Sequence, residues 1–188
     1  MKRLMIAGLA TFVMMCSYTM SLGRAGGAAQ KGMAVKEAIA VVHPTSSSSC
    51  KGIVHFTEVT GGVRVVADIE GLTPNSTHGF HIHEFGDCSA PDATSAGGHY
   101  DAAMTMHHGK PEDMVRHTGD MGNIQADAAG KAHLELLLKG AMIGDMEAPI
   151  LGRAVIVHAN ADDFSQPVGN AGARIGCGVI GVMKPSGK

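Results

Sequence analysis

Tryptophan is absent from this 188-residue chain, and aromatic residues make up only 4% of it. Few large rings and 26 glycines suit short strands joined by many turns better than a helical bundle. Charge is sparse as well: 17% of residues carry it, and the net charge is -2. That leaves no basic footprint for nucleic acid. A membrane span is missing too. The apolar run from Leu4 to Cys16 covers about 13 residues, short of the roughly 20 that cross a bilayer.

That run follows Lys2 and Arg3 and precedes Gly23-Arg24-Ala25, the pattern of an export leader cleaved after Ala25. Residues 1–25 are therefore expected to be a signal peptide, 26–34 a flexible Gly/Ala-rich segment and 35–183 one domain. The alternatives are a membrane anchor or buried helix, and a lipid attachment at Cys16, for which Met14-Met15 are a poor match to the small residues required. Without the leader three cysteines remain, Cys50, Cys88 and Cys177. Export, periplasmic or extracellular, places them where a disulfide is permitted.

What the chain does have is strand patterning. "VRVVADIEGL" alternates, with Val63, Val65, Ala67 and Ile69 on one face and Arg64, Val66, Asp68 and Glu70 on the other. Ala38–Val42, "GIVHFTEV", "HGFHIHEFG", "GNIQAD", "KAHLELLLK", "RAVIVHAN" and "IGCGVIGV" bring the total to eight strands. No internal repeat and no helix stands out. The fold class is all-β, an antiparallel sandwich or barrel. Two long loops interrupt it, Asp87 to Asp120 and "ADDFSQPVGNAGAR". A loop of about 30 residues without structure of its own is uncommon unless something pins it.

Histidine supplies the pin. The chain has 11 of them, and clustered histidine points to metal. His81 and His83 are two apart in a strand, so their rings share a face. Neutral imidazole suits copper, zinc, iron and nickel. His99, His108, His117 and Asp120 follow in the long loop, and three histidines with a carboxylate form a saturated tetrahedral zinc set. His158 ends the strand "RAVIVH".

Taken in order, "GFHIHEFGDCS", "SAGGHY", "HHGKP", "RHTGDMGN", "VIVHANADD" and "GNAGARIGCGVIG" resemble the Cu/Zn superoxide dismutases, exported bacterial type, from about Val35 to Val182. The resemblance implies an eight-stranded antiparallel Greek-key barrel or Ig-like sandwich with two long loops. It implies copper on His81, His83, His99 and His158, and zinc on His99, His108, His117 and Asp120, with His99 bridging. Arg174 matches the arginine beside copper, and Asp162 the carboxylate that holds a copper histidine and a zinc histidine. His78 matches a histidine that ties backbone behind the site, and Cys88–Cys177 the intrachain disulfide. The implied activity is conversion of superoxide to oxygen and hydrogen peroxide by Cu(II)/Cu(I) cycling, with His99 and Arg174 catalytic. The family is often a homodimer, and "GVIGVM" resembles the edge through which relatives pair.

Several positions depart from the family pattern. His107 stands beside His108, which fits better because it precedes "GKP". Val168 replaces a common threonine, and Asp101-Ala102 a common Asn-Pro or Asp-Pro. The second loop lacks the acidic, lysine-rich insertion of animal relatives, so steering rests on Arg174. Cys50 is expected to be a small buried hydrophobe, Met104 and Met106 to pack the loop, with copper capture by them and His107 the alternative, and His43, His55 and His133 to lie at the surface. Two other functions fit parts of the pattern. A copper-carrying module would have lost ligands or the arginine, and a zinc hydrolase needs an open coordination position that four protein ligands deny.

Overall fold

A computed structural model describes residues 35–46, 48–144 and 147–184. The expected leader, the Cys16 attachment and the flexible segment lie outside these residues. Eight strands are present: β1 (Glu37–Pro44), β2 (Lys51–Val59), β3 (Gly62–Glu70), β4 (Thr77–His83), β5 (Asp120–Gln125), β6 (Lys131–Lys139), β7 (Ala154–His158) and β8 (Arg174–Val182). Among the described residues the only helical piece is one 3₁₀ turn, Thr94–Ala96, inside the first long loop.

Period-two patterning decides what each strand buries. In β3, Val63, Val65, Ala67 and Ile69 are all buried, while Arg64, Asp68 and Glu70 face solvent. In β4 the same alternation turns Phe80 and Ile82 into the core and leaves His81 and His83 on the opposite face. From Ala154 to Val157 β7 reads as an unbroken apolar run because both its faces are covered. Val155 and Val157 join the main core, and Ala154 and Ile156 pack with Ala93, Ala96 and Cys177 in a smaller cluster.

The strand order is β5-β4-β7-β8-β1-β2-β3-β6, antiparallel throughout. β2 and β3 form a hairpin through Thr60-Gly61, where Gly61 has φ +91°, a left-handed backbone that glycine adopts at little cost. β4, β5 and β6 follow one another, and β7 returns to lie beside β4, a Greek-key path. The two ends of the order, β5 and β6, are joined by a turn whose centre is Asp127. Its carboxylate accepts hydrogen bonds from Ala129 N (2.8 Å) and Lys131 N (2.9 Å). The two strands lie against each other and curl the sheet into a nearly closed barrel.

The first long loop is fastened to the barrel at several points. Cys88 is disulfide-bonded to Cys177 of β8, 89 positions away in sequence. Ser46 N and Oγ both donate to Pro91 O. Cys50 is the free cysteine among the described residues, and it is buried in the core as expected.

Candidate metal centre

The outer face of β4 is where the loop docks. Ile82, between the two strand histidines, donates its N–H to Gly119 O (2.9 Å) and accepts Tyr100 N (2.8 Å). Gly119 N donates to Tyr100 O (2.8 Å), and His83 forms an isolated bridge with His99. These bonds draw residues 99–100 and 117–120 onto the strand that carries His81 and His83. β7 pairs with the other edge of β4 and ends at His158. Residues far apart in sequence thus meet over one patch of barrel wall.

Beside a smaller buried group of His81, His108 and Asp162, two buried four-residue donor groups result, each with its ligand atoms within 4.8 Å of one another. One comprises His81, His83, His99 and His158; the other comprises His99, His108, His117 and Asp120. His99 belongs to both. Its Nδ1 lies 2.9 Å from Asp120 Oδ1, which leaves Nε2 for the all-histidine group. The His81 and His99 rings are 4.1 Å apart between centroids.

Hydrogen bonding fixes which nitrogen each ring offers. His83 Nδ1–H donates to Gly97 O (2.9 Å) and His158 Nδ1–H to Gly172 O (3.2 Å). Their Nε2 atoms, each then a lone pair, face each other at 3.3 Å. Two lone pairs repel at that distance unless a cation lies between them. Asp162 stands between two further rings, Oδ2 at 2.9 Å from His81 Nε2 and Oδ1 at 2.9 Å from His108 Nε2. The Nδ1 atoms of His81 and His108 are buried and make no hydrogen bond. His108 Nδ1 lies 3.0 Å from Asp120 Oδ1 without hydrogen-bonding alignment, the relation of two ligands to one ion. Buried polar atoms are otherwise almost always satisfied.

Asp120 is committed on both oxygens. Oδ2 accepts His117 N and Gly109 N, each at 3.0 Å, and Oδ1 faces Nδ1 of His99, His108 and His117. Electrostatics agree with these roles. Burial pushes His81 down to about 4, His158 down to about 3 and His83 well below its usual value, so all three are neutral at neutral pH, the form that can ligate a metal. Burial also opposes charge on Asp120 and Asp162. Hydrogen bonds from the histidines outweigh it and hold both carboxyls well below the usual range. His108, against the pull of burial, is pushed up to about 9 by Asp120 and Asp162.

The donor sets fit metal. Four imidazole nitrogens suit copper, and three imidazoles with one carboxylate suit tetrahedral zinc. The remaining sequence-predicted residues lie around these groups. Arg174 of β8 donates from Nη1 to Ala93 O and from Nη2 to Gly97 O, both at 2.6 Å, and so shares Gly97 O with His83. His78 lies behind the centre, its Nδ1 2.8 Å from His158 O and its Nε2 2.6 Å from Ser76 Oγ. His107 is exposed and joins neither group. Val168 is exposed as well. One expectation is corrected: Met104 and Met106 do not pack the loop but stand 83% and 81% exposed, because the turn that carries them projects away from the core.

Sequence reading missed the supports. Asn123 of β5 clamps Asp162, donating from Nδ2 to Asp162 O (2.9 Å) and accepting Asp162 N (2.7 Å). Gln166 does the same to the backbone of His108, accepting its N–H (3.0 Å) and donating to its carbonyl (2.7 Å). Arg116 is buried and donates to the carbonyls of Pro111, His117, Thr118 and Lys139, knitting the metal loop to β6. Gly169 is set against Asp162, where a Cβ would lie 1.8 Å from Oδ1. Polar residues bound to distant backbone leave no periodic trace in sequence.

Comparison with known proteins agrees with this geometry. The family described as copper/zinc superoxide dismutase matches residues 50–180. The superoxide dismutase [Cu-Zn] of Paramecium bursaria Chlorella virus 1 is 44% identical over 146 residues, 71% of this chain and 74% of that one. That of Candida albicans is 42% identical over 160 residues, 79% of this chain and 99% of that one. The extracellular superoxide dismutase [Cu-Zn] of Onchocerca volvulus is 36% identical over 172 residues, covering 82% and 80%. Among solved structures, the crystal structure of the clock protein EA4 superposes with a TM-score of 0.72 at 37% identity, covering 81% of this chain and 98% of that one. A match that takes in seven of the eight strands, together with the two donor groups, places the chain in the copper/zinc superoxide dismutase family.

Proposed function

We propose that this chain converts superoxide to oxygen and hydrogen peroxide. Copper is held by His81, His83, His99 and His158, and zinc by His99, His108, His117 and Asp120. The observation that carries this reading is a ring common to both donor groups, flanked by two buried Nδ1 atoms that have no hydrogen-bond partner. Copper held in such a set supplies a one-electron couple, and zinc, which has no redox chemistry, supplies fixed charge.

The chain's own residues do the rest. Asp162 holds the Nε2–H of His81 and of His108 and thereby aims both Nδ1 lone pairs inward. His99, held through Nδ1 on the Asp120 side, has Nε2 free to hold a proton and return it to the product peroxide. Arg174 stays charged and is anchored by two carbonyls, so its guanidinium is set in place to attract a small anion. The histidine rings are buried, which strengthens that attraction by lowering the effective dielectric.

The test is removal of superoxide by metal-loaded protein, with His158→Ala abolishing it. A wild type that holds both metals and leaves superoxide untouched refutes the reading.

Residues 1–25 serve as a leader, with mature protein starting at Gly26 in the periplasm or outside the cell. The disulfide supports this, as does the extracellular naming of the Onchocerca volvulus relative. N-terminal sequencing of the exported protein checks it. The chain pairs as a homodimer through the exposed valines of β8, Val179 and Val182, beside Val41 of β1. Light scattering on the wild type and on Val179→Lys tests the pairing.

A further inference from the structure

The turn Met104–His107 is built unlike the rest of the metal loop. Met104 and Met106 both have left-handed backbone, φ 51° and 56°. Such values are uncommon outside glycine and cost free energy that the surroundings must offset. Asp101 does the offsetting. Its carboxylate accepts Met106 N (2.9 Å) and, at longer range, the Thr105 hydroxyl, while its carbonyl accepts Met104 N (3.3 Å). Thr105 Oγ1 in turn accepts His107 N (3.3 Å). The far end is held by Gln166, which clamps the backbone of His108.

This framework displays two large apolar side chains to water. Met104 and Met106 are 83% and 81% exposed, and His107 is exposed beside them. Burying a methionine is favourable, so these two forgo a packing gain. Two Cα steps separate them by at most about 7 Å. Flexible thioether arms bridge that span easily. Thioether sulfur with imidazole is a soft donor set, which selects copper in its +1 state over zinc or alkaline-earth ions.

We infer that Met104 Sδ, Met106 Sδ and a ring nitrogen of His107 form an exposed copper(I) site, separate from the buried centre. None of the three residues belongs to either buried donor group, so the site takes its ion while those groups are filled. The Asp101 carboxylate is engaged with backbone N–H and the Thr105 hydroxyl and holds the turn rather than the ion.

The test uses holoprotein with both inner metals bound and reduced, labelled with ¹³C at the methionine methyls. It is titrated with silver(I), the redox-inert stand-in for copper(I). One further equivalent per chain is expected, with the methyl signals of Met104 and Met106 and the ring signals of His107 moving together. Met114, fully exposed on the same loop, is the internal control and stays in place. Copper(I) competition against bicinchoninate then reads affinity, and Met104→Leu/Met106→Leu loses the extra equivalent while keeping both inner metals. The inference is overturned if holoprotein takes up no further ion, if the double variant binds it equally well, or if Met114 shifts in step. A failure there leaves the reading of the buried centre untouched, because the inner metals are counted separately.

Discussion

Asp162→Asn is the substitution whose cost follows most directly from the geometry. The carboxylate accepts from two rings at once, His81 Nε2 and His108 Nε2, each at 2.9 Å. An amide of the same shape keeps one acceptor and turns an NH₂ toward the other ring. That ring's N–H then faces a donor, so its stable tautomer moves the proton to Nδ1, the atom that has to point at the metal. One ligand of one set is lost in effect, although no ligand has been changed. Disturbing such supporting partners costs about 10–100-fold in metal affinity, or roughly 1.4–2.8 kcal/mol. Because His81 belongs to the all-histidine group and His108 to the group built on Asp120, copper and zinc are both at risk from one substitution. Competition against a chromophoric chelator reads each affinity, and circular dichroism checks that the barrel is intact. Unchanged affinity for both metals in a folded Asp162→Asn protein would refute the orienting role.

Other outcomes follow from the same structure. His108, opposed by burial but pushed up to about 9 by Asp120 and Asp162, is protonated at pH 7.5 in metal-free protein. Its folded value lies above the ordinary 6.5, so its contribution to metal-free stability is complete below that pH and is lost on rising toward 9. Zinc needs the neutral ring, so binding at pH 7.5 releases a proton from His108, and calorimetry in two buffers of different ionisation enthalpy counts it; no release contradicts the assignment. The Cys88–Cys177 bond spans 89 positions, and in the chain-entropy model its reduction costs about 4–5 kcal/mol. Disulfide and zinc anchor the same loop, so chelation speeds reduction, and equal thiol-release rates with and without chelator count against that coupling. Gly169→Ala combines a left-handed φ of +73° with a Cβ 1.8 Å from Asp162 Oδ1, so zinc affinity and melting temperature fall together, as thermal scans with and without zinc will show.

Much of this was legible in sequence where a repeat or a spacing carried it. Alternation in "VRVVADIE" gives the two faces of β3, and the same period separates Phe80 and Ile82 from His81 and His83. The run "AVIV" before His158 is apolar throughout because the disulfide loop covers its second face, a tertiary fact that no local pattern announces. The donor residues stood out because histidine is costly to bury and rarely clusters without cause. Their supports did not. Asn123, Gln166 and Arg116 act through hydrogen bonds to distant backbone, and such residues look in sequence like ordinary surface polar groups. Met104 and Met106 differ from expectation for the opposite reason: hydrophobicity predicts burial, and here the backbone turns both outward.

The account rests on one imidazole serving two ions. Diffraction from crystals of the doubly loaded protein, collected on either side of the copper and zinc absorption edges, measures this directly. The expected result is a copper peak among His81, His83, His99 and His158, a zinc peak among His99, His108, His117 and Asp120, and the ring of His99 between them. Two ions that do not share residue 99, or a single ion held on Asp162, would contradict it.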